Sequence, residues 1–142
     1  MKLVDLNLLL YAHHAAAKEH RAALAWLSDL FTSQETIGFS WVTVLGFLRI
    51  ATHPKILTRP YDLGEATEIV SDWLIRSNVS IVSPTERHWP ILSAFLPKHR
   101  VRGSLIVDAH LAALAIEHGA TLCTNDRDFM RFPGLKVEFP LQ

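Results

Sequence analysis

Four aspartates could act together although they come from distant parts of the chain. Asp5 follows a short apolar run, Asp108 lies inside a long apolar stretch, and Asp126 and Asp128 follow a third apolar run. Carboxylates that lie within a few Å of one another need protons or divalent cations to offset their charge. Oxygen ligands without a Cys or His cluster favour Mg²⁺ or Mn²⁺ over zinc. The four aspartates therefore predict a magnesium-type site.

Each aspartate also has a purely structural interpretation. Asp5 could cap the helix that follows it, and Asp108 could be a buried or capping acid. Asp126 and Asp128 could be turn residues, a common role for aspartate. These interpretations hold well for single residues, but they weaken if all four carboxylates lie at one edge of the fold.

The order of the predicted elements favours such a convergence. Short apolar runs that indicate strands alternate with helical segments, which is typical of a parallel sheet covered on both faces. In such α/β folds, ligands bind at the carboxyl ends of the strands. Asp5 and Asp126 follow strand ends, and Asp108 lies in the first turns of a helix that Ser104 is expected to cap. The predicted strands are Met1–Val4, Thr36–Phe39, Val79–Val82, Ala120–Cys123 and Val137–Phe139.

Capping residues mark several predicted helix ends. Ser40 precedes an apolar helix from Trp41 to Ala51, and Asp62 with Glu65 resembles a capping box that opens another helix, through Leu74. The remaining predicted helices are Leu6–Ala17, Ala15–Phe31, one opened by Ser83, Pro84 and Glu86, and one that runs from Leu105 and is ended by Gly119.

The length and composition fit one domain over residues 1–142, with 49% hydrophobic residues. The single Cys123 cannot form an internal disulfide, which suits a reducing cytoplasm. We expect neither secretion nor membrane insertion, because the N-terminus lacks a basic leader and no apolar run approaches about 20 residues. His13, His14 and His20 match no zinc-binding pattern.

The charges balance, with 14 Lys and Arg against 14 Asp and Glu, which argues against a simple nucleic-acid-coating protein. If four acids share one pocket, however, bases predominate elsewhere on the surface. The densest basic segment carries Lys98, Arg100 and Arg102 and leads directly into the helix with Asp108. A carboxylate-held metal ion near basic side chains is suited to phosphodiester hydrolysis, so this segment is either a substrate contact or a solvated loop.

Four segments together resemble a PIN domain, and specifically the toxin of a VapB/VapC type II toxin–antitoxin pair. They are LVDLNLLLYA, FSWVTVLGFLRIATHP, VDAHLAALAIEHGATLCTNDRDF and FPGLKV, and they span the whole chain. The resemblance implies a Mg²⁺-dependent endoribonuclease with a three-layer α/β/α fold around a parallel central sheet. It also implies a homodimer and a cognate antitoxin whose tail occupies the acidic groove.

The resemblance also implies roles for individual residues. Asp5 and Asp108 match the metal-binding acids, Asp126 matches the acid of the turn after the fourth strand, and Asp128 is its neighbour. Asn7 and Thr124 match polar residues that support the site. The candidates for RNA contact are Lys98, Arg100, Arg102 and Arg127.

One position departs from the family pattern. Many relatives carry a Glu early in the helix after the second strand, and the corresponding residue here is Gly46, with no acid anywhere in residues 36–61. We expect one metal ion to be held nevertheless, with water or Asp128 filling the vacant place. The alternative is a catalytically weakened or inactive PIN-like module that only binds a partner.

Two other classes of small α/β protein fit the sequence less well. A phosphoryl-accepting receiver needs an Asp at the end of a central strand, whereas the second and third predicted strands are followed by Ser40 and Ser83. A haloacid-dehalogenase-like phosphatase needs an Asp-x-Asp triplet after its first strand. The triplet here is Asp5, Leu6, Asn7, so the nuclease prediction is preferred.

Overall fold

A computed structural model of the protein describes residues 1–98 and 101–142, in which short strands alternate with helices. The strands are β1 (Lys2–Val4), β2 (Ile37–Phe39), β3 (Val79–Ile81), β4 (Thr121–Cys123) and β5 (Lys136–Glu138). The helices are α1 (Leu6–Ala12), α2 (His20–Thr32), α3 (Trp41–Ala51), α4 (Leu63–Leu74), α5 (His88–Lys98) and α6 (Leu105–Glu117). A 3-10 helix follows β4 at Arg127–Arg131.

The five strands form one parallel sheet in the order β3-β2-β1-β4-β5. Because every pair is parallel, the carboxyl ends of all five strands lie at the same edge, which we call the sheet edge. β1 is central, and its residues Leu3 and Val4 pair with Leu122 and Cys123 of β4. The sheet edge therefore brings Asp5, which follows β1, beside the residues that follow β4.

Alternation along β1 divides the core into two layers. Val4 and Cys123 pack with α1, α2, α3 and α4 on one face of the sheet. Leu3 and Leu122 point to the other face, where they pack with α5 and α6. The predicted three-layer α/β/α architecture with a central parallel sheet is confirmed.

Local capping signals placed two helices correctly. Ser40 accepts a hydrogen bond from the Thr43 N–H at 3.1 Å and begins α3 at the predicted residue. Asp62 and Glu65 form the predicted capping box at the start of α4. Gly119 lies just after the end of α6. Its φ is 63°, a conformation that glycine adopts without steric cost.

Other predicted helix boundaries are wrong. α5 begins at His88 instead of at the Ser83–Glu86 signal. Thr85 forms a turn before the helix, since its hydroxyl accepts from the Arg87 N–H at 3.1 Å, and its own N–H donates to the Glu117 carboxylate of α6 at 3.1 Å. Ser104 stands before α6, but its side chain makes no capping hydrogen bond.

The first two helices are also shorter than predicted. α1 ends at Ala12, and α2 begins only at His20. Tyr61 donates its hydroxyl hydrogen to the His13 carbonyl at 2.8 Å, so a tertiary contact holds the chain where the predicted helix would have continued. Within the described ranges, no helix combines the length and the apolar character needed to cross a bilayer.

Candidate carboxylate site at the sheet edge

Asp5 is fixed at the junction of β1 and α1. Its backbone N–H donates to the Cys123 carbonyl at 2.9 Å, which continues the pairing of β1 with β4. Its Oδ1 accepts from the Leu6 N–H and its Oδ2 from the Thr124 hydroxyl, both at 2.7 Å. Asp5 thus caps α1 and also lies at the sheet edge with only 7% of its surface exposed. The capping and the site interpretations are compatible.

Thr124 connects the two chain segments that meet at this edge. Its buried hydroxyl donates to Asp5, and it accepts from Asn7 Nδ2 at 3.3 Å and from the Asp126 N–H at 3.0 Å. Asn7 Oδ1 in turn accepts from the Asn125 N–H at 3.3 Å. The two residues predicted to support the site therefore form a network between α1 and the turn after β4.

Asp126 and Asp128 lie at the start of the 3-10 helix. Asp126 Oδ1 accepts from the Asp128 N–H at 2.9 Å. Asp128 is more exposed and lies 3.6 Å from the Arg131 guanidinium. Sequence reasoning did not assign Arg131 to the site, although its position three residues after Asp128 was a usable signal, since side chains at that spacing in a helix face each other.

Asp108 comes to the same edge from α6, on whose first turn it lies. Partial burial, and next the negative charges of Asp5, Asp126 and Asp128, raise the pKa of Asp108 to about 6, while Arg131 acts in the opposite direction. The charges of the other three aspartates thus all act on Asp108. The four aspartates, which we call the carboxylate site, come from three separate stretches of the chain, because Asp126 and Asp128 belong to the same turn after β4.

The ionised form of Asp5 is also electrostatically unfavourable. Burial raises the pKa of Asp5 and the charge of Asp126 raises it further, against the hydrogen bonds from Thr124 and Leu6, which favour the ionised form. The raised pKa values of two neighbouring carboxyls mean that full ionisation carries a free-energy cost. A bound divalent cation would offset that cost.

The donor chemistry of the carboxylate site fits a hard cation such as Mg²⁺ or Mn²⁺, because every candidate ligand is an oxygen. In this side-chain arrangement, no three His, Cys, Asp or Glu residues of the described ranges lie close enough together to hold one ion. The fit therefore rests on the oxygen donors and on the unfavourable charge, and the described side chains do not form a complete three-ligand cage.

The predicted RNA-contact residues occupy different surroundings. Lys98 and Arg102 are exposed, at the end of α5 and before α6. Arg127 is exposed too, but its guanidinium already contacts the Gln142 side chain and lies 4.8 Å from the centre of the Phe139 ring. Arg100 lies outside the described residues.

Gly46 stands in α3 directly opposite the first residue of α1. A β-carbon added at Gly46 would lie 2.7 Å from Leu6 Cδ2, closer than carbon atoms pack. The Leu6 side chain therefore occupies the space into which a longer side chain at position 46 would extend. The absence of an acid here is matched by close packing between α3 and α1.

Known proteins resemble this chain over its whole length. The profile of the PIN domain family matches residues 2–135. Ribonuclease VapC37 of Mycobacterium tuberculosis is 40% identical over 140 residues, which cover 99% of this chain and 97% of that protein. Ribonuclease VapC33 of the same species is 37% identical over 142 residues, with 100% and 99% covered.

Solved structures share the fold at low sequence identity. VapBC-1 from nontypeable Haemophilus influenzae superposes with a TM-score of 0.71 at 15% identity, covering 99% of this chain and 98% of that one. Mycobacterium tuberculosis VapC20, described as a sarcin-ricin loop cleaving toxin, gives a TM-score of 0.68 at 15% identity, with 96% and 99% covered. The family match and the full-length relatives carry the assignment, and the chain belongs to the PIN domain family, among the VapC ribonucleases.

Proposed function

We propose that this protein is a metal-dependent endoribonuclease and the toxin of a type II toxin–antitoxin pair, with the carboxylate site as its catalytic centre. The observation that carries the proposal is electrostatic. Burial raises the pKa values of Asp5 and Asp108, the charge of Asp126 raises both further, and the charge of Asp5 also acts on Asp108, which supports a shared role for the three carboxylates at the sheet edge. The relatives named ribonuclease VapC support the activity.

In this proposal Asp5, Asp108 and Asp126 hold Mg²⁺, with Mn²⁺ as a substitute, and Asp128 contributes less directly. A divalent ion held there would supply Lewis-acid chemistry suited to phosphodiester hydrolysis, since it would favour ionisation of a water nucleophile and offset negative charge on the phosphate. Thr124 and Asn7 fix the orientation of Asp5 through their hydrogen bonds. Because the pKa of Asp108 is about 6, its carboxyl is largely ionised at neutral pH, and only near or below pH 6 would a bound cation have to displace its proton.

RNA is the proposed substrate, and its phosphates would contact basic side chains near the site. Lys98 and Arg102 are exposed and are the better candidates, together with Arg100. Arg127 is a weaker candidate because its guanidinium already contacts Gln142 and Phe139. Salt-dependent binding is expected from such phosphate contacts.

A cognate antitoxin and a second copy of the chain are the proposed protein partners. The antitoxin is supported by the solved neighbours, several of which are VapBC toxin–antitoxin complexes. The antitoxin tail would cover the carboxylate site and prevent RNA from entering. The homodimer is inferred from the family resemblance alone.

The second candidate function is an inactive or weakened PIN-like module that only binds a partner. Gly46 favours it, because an acid that many relatives carry is absent and Leu6 fills the space. The enzyme and the inactive module differ in one measurable property, which is RNA cleavage that depends on the carboxylates.

The deciding experiment measures cleavage of total RNA by the parent, Asp5→Asn and Asp108→Asn with and without Mg²⁺. We expect cleavage by the parent only with Mg²⁺, and a loss of about a thousandfold or more in both variants, since several kcal/mol of transition-state stabilisation disappear. Asp29→Asn is the matched control, because Asp29 is an exposed acid of α2. Equal cleavage by the parent and by folded Asp108→Asn would assign the activity to another site or to a contaminant.

A further inference from the structure

One side of α3 exposes a tryptophan, a leucine and an arginine at equal spacing. Trp41 is 53% exposed, Leu45 is 60% exposed, and Arg49 is exposed too. Residues four apart lie above one another on the same side of a helix. Trp41, Leu45 and Arg49 therefore form one continuous surface, which we call the α3 strip.

The α3 strip begins at the sheet edge. Leu3 of β1 is paired with Gly38 of β2, so Asp5 and Ser40 leave their neighbouring strands at the same level. Adjacent strands lie about 4.8 Å apart, and Trp41 follows Ser40 directly. From Trp41 to Arg49 the strip extends about 12 Å along the helix, at a rise of about 1.5 Å per residue. It thus leads away from the carboxylate site over a distance that a few nucleotides span.

The side chains at the two ends of the strip, Trp41 and Arg49, make no polar or ring contact with the described part of the protein. The Trp41 indole makes no ring contact or hydrogen bond with a described residue, and the Arg49 guanidinium has neither a hydrogen bond nor an ion pair there. Trp73 shows the contrast, since it is 3% exposed and packs against Phe39 and Phe47. The exposed part of the Trp41 indole is therefore available to a ligand.

We propose that the α3 strip binds unpaired RNA, with a base stacked on Trp41 and a phosphate farther along the strand at Arg49. This inference rests on the proposed ribonuclease function. An indole face accepts any base, whereas a base inside a duplex is already stacked on both sides. A planar guanidinium can donate two parallel hydrogen bonds to two oxygens of one phosphate. The substrate class is accordingly single-stranded or looped RNA.

The size and charge of the surface favour RNA over a protein partner. A stable protein interface buries about 800 Å² on each side, and a large aromatic side chain contributes about 150–250 Å². Trp41, Leu45 and the neighbouring Val42 give a narrow apolar surface that ends at a charged residue. Stacking also provides attraction that does not depend on charge, which is useful beside a group of carboxylates that repel phosphate.

Binding is tested without cleavage, in metal-free Asp108→Asn protein, with a labelled short unstructured RNA of random sequence. Added Trp41→Ala should weaken binding about tenfold or more, because stacking on an aromatic side chain contributes about 1–3 kcal/mol per base. Trp41→Phe should retain most of the affinity. Trp89→Ala is the matched control, since Trp89 is 65% exposed on α5, and it should change nothing. Arg49→Gln should reduce the slope of log affinity against log salt concentration by about 0.7, because one phosphate contact is lost.

Cleavage by otherwise unchanged protein supplies the second readout. Trp41→Ala should raise KM in Mg²⁺ while kcat stays near that of the parent. If Trp41→Ala leaves the RNA affinity unchanged, the proposed RNA-binding role of the α3 strip is wrong, even if the parent cleaves RNA. If the parent binds RNA through Trp41 but cleaves none, the proposed RNA-binding role of the α3 strip is supported and the proposed ribonuclease activity is contradicted. A lower molar mass of Trp41→Ala in light scattering, with RNA affinity unchanged, would instead make the strip an interface between copies.

Discussion

Two acidic side chains are buried to the same degree but have opposite surroundings. Asp5 is 7% exposed and Glu117 is 8% exposed. Glu117 accepts from the Thr85 N–H at 3.1 Å and lies 3.1 Å from His88 Nδ1 and 3.8 Å from His118 Nε2. Asp5 instead has the carboxylate of Asp126 as its charged neighbour. Burial and then that charge raise the pKa of Asp5, and burial with the charges of Asp5, Asp126 and Asp128 raises the pKa of Asp108.

The comparison separates an acid that holds the fold from acids that are suited to bind a ligand. Glu117 joins the end of α6 to the segment before α5, and His88 extends the contact to His110 with an Nε2 to Nδ1 distance of 2.9 Å. All of its partners belong to the protein. The carboxylate site has an unbalanced negative charge, so a positive ligand would complete it.

The largest effect on stability is expected from Glu117→Ala. Removal of this carboxylate leaves the Thr85 N–H and His88 Nδ1 without the hydrogen-bond partner that Glu117 supplies, and each buried polar group left unsatisfied costs about 1–3 kcal/mol. Urea unfolding followed by circular dichroism measures the loss. Glu68→Ala, which removes an exposed acid of α4, should stay within about 0.5 kcal/mol of the parent. Equal midpoints for both variants would contradict the comparison.

Asp108→Asn is expected to increase the free energy of unfolding of the metal-free protein, which is opposite to the effect of Glu117→Ala. The folded-state pKa of Asp108 is about 6, against 3.8 for the ordinary carboxyl, so ionisation opposes folding. The protonated Asp108 carboxyl favours folding relative to the ionised form. This stabilising contribution is present in full below about pH 4 and is lost as the pH rises to about 6. The variant should therefore be more stable than the parent by about 1–2 kcal/mol above pH 6, after allowance for solvent screening at a half-exposed group.

The pH dependence provides the control for this prediction. The difference in unfolding free energy between parent and Asp108→Asn should shrink towards zero near pH 4, where the parent carboxyl is protonated. Unfolding by urea at several pH values, with a chelator present, measures it. A difference of constant size from pH 4 to pH 7 would mean that charge repulsion at Asp108 is not the cause.

The smallest effect is expected at Gly46. Alanine favours a helix over glycine by about 0.5–1 kcal/mol, but its β-carbon would lie 2.7 Å from Leu6 Cδ2. Leu6 Cδ2 is the end of a flexible side chain that can shift, so its displacement should roughly offset the helix preference, and Gly46→Ala should change the stability of the parent by less than about 0.5 kcal/mol. In a Leu6→Ala background the same substitution should stabilise. The double-mutant cycle measures the coupling, and additive effects would show that Leu6 does not fill this space.

Short-range signals predicted much of the fold from the sequence. Ser40 and the pair Asp62 and Glu65 acted as caps because their partners lie three residues away. The comparable signal at Ser83 failed, and the chain instead forms a turn at Thr85 that is tied to Glu117, far along the chain. A local signal does not contain the distant contacts that fix the same segment.

The candidate site was accessible from the sequence for a different reason. Parallel strands bring their carboxyl ends to one edge, so the topology alone predicted that Asp5 and Asp126 would come close. The surroundings of individual side chains were not accessible. Neither the contact of Arg127 with Gln142 nor the position of Arg131 beside Asp128 follows from strand order, because both depend on side-chain packing in three dimensions.

The central claim is that the carboxylate site binds a divalent cation, and calorimetric titration tests it most directly. Mn²⁺ or Mg²⁺ is added to metal-free parent, Asp108→Asn and the surface control Asp29→Asn. We expect the parent and Asp29→Asn to bind one ion that saturates below millimolar concentrations, with proton release from Asp108 near pH 6, and Asp108→Asn to bind much more weakly. No binding of either metal to the parent at millimolar concentration would contradict the account.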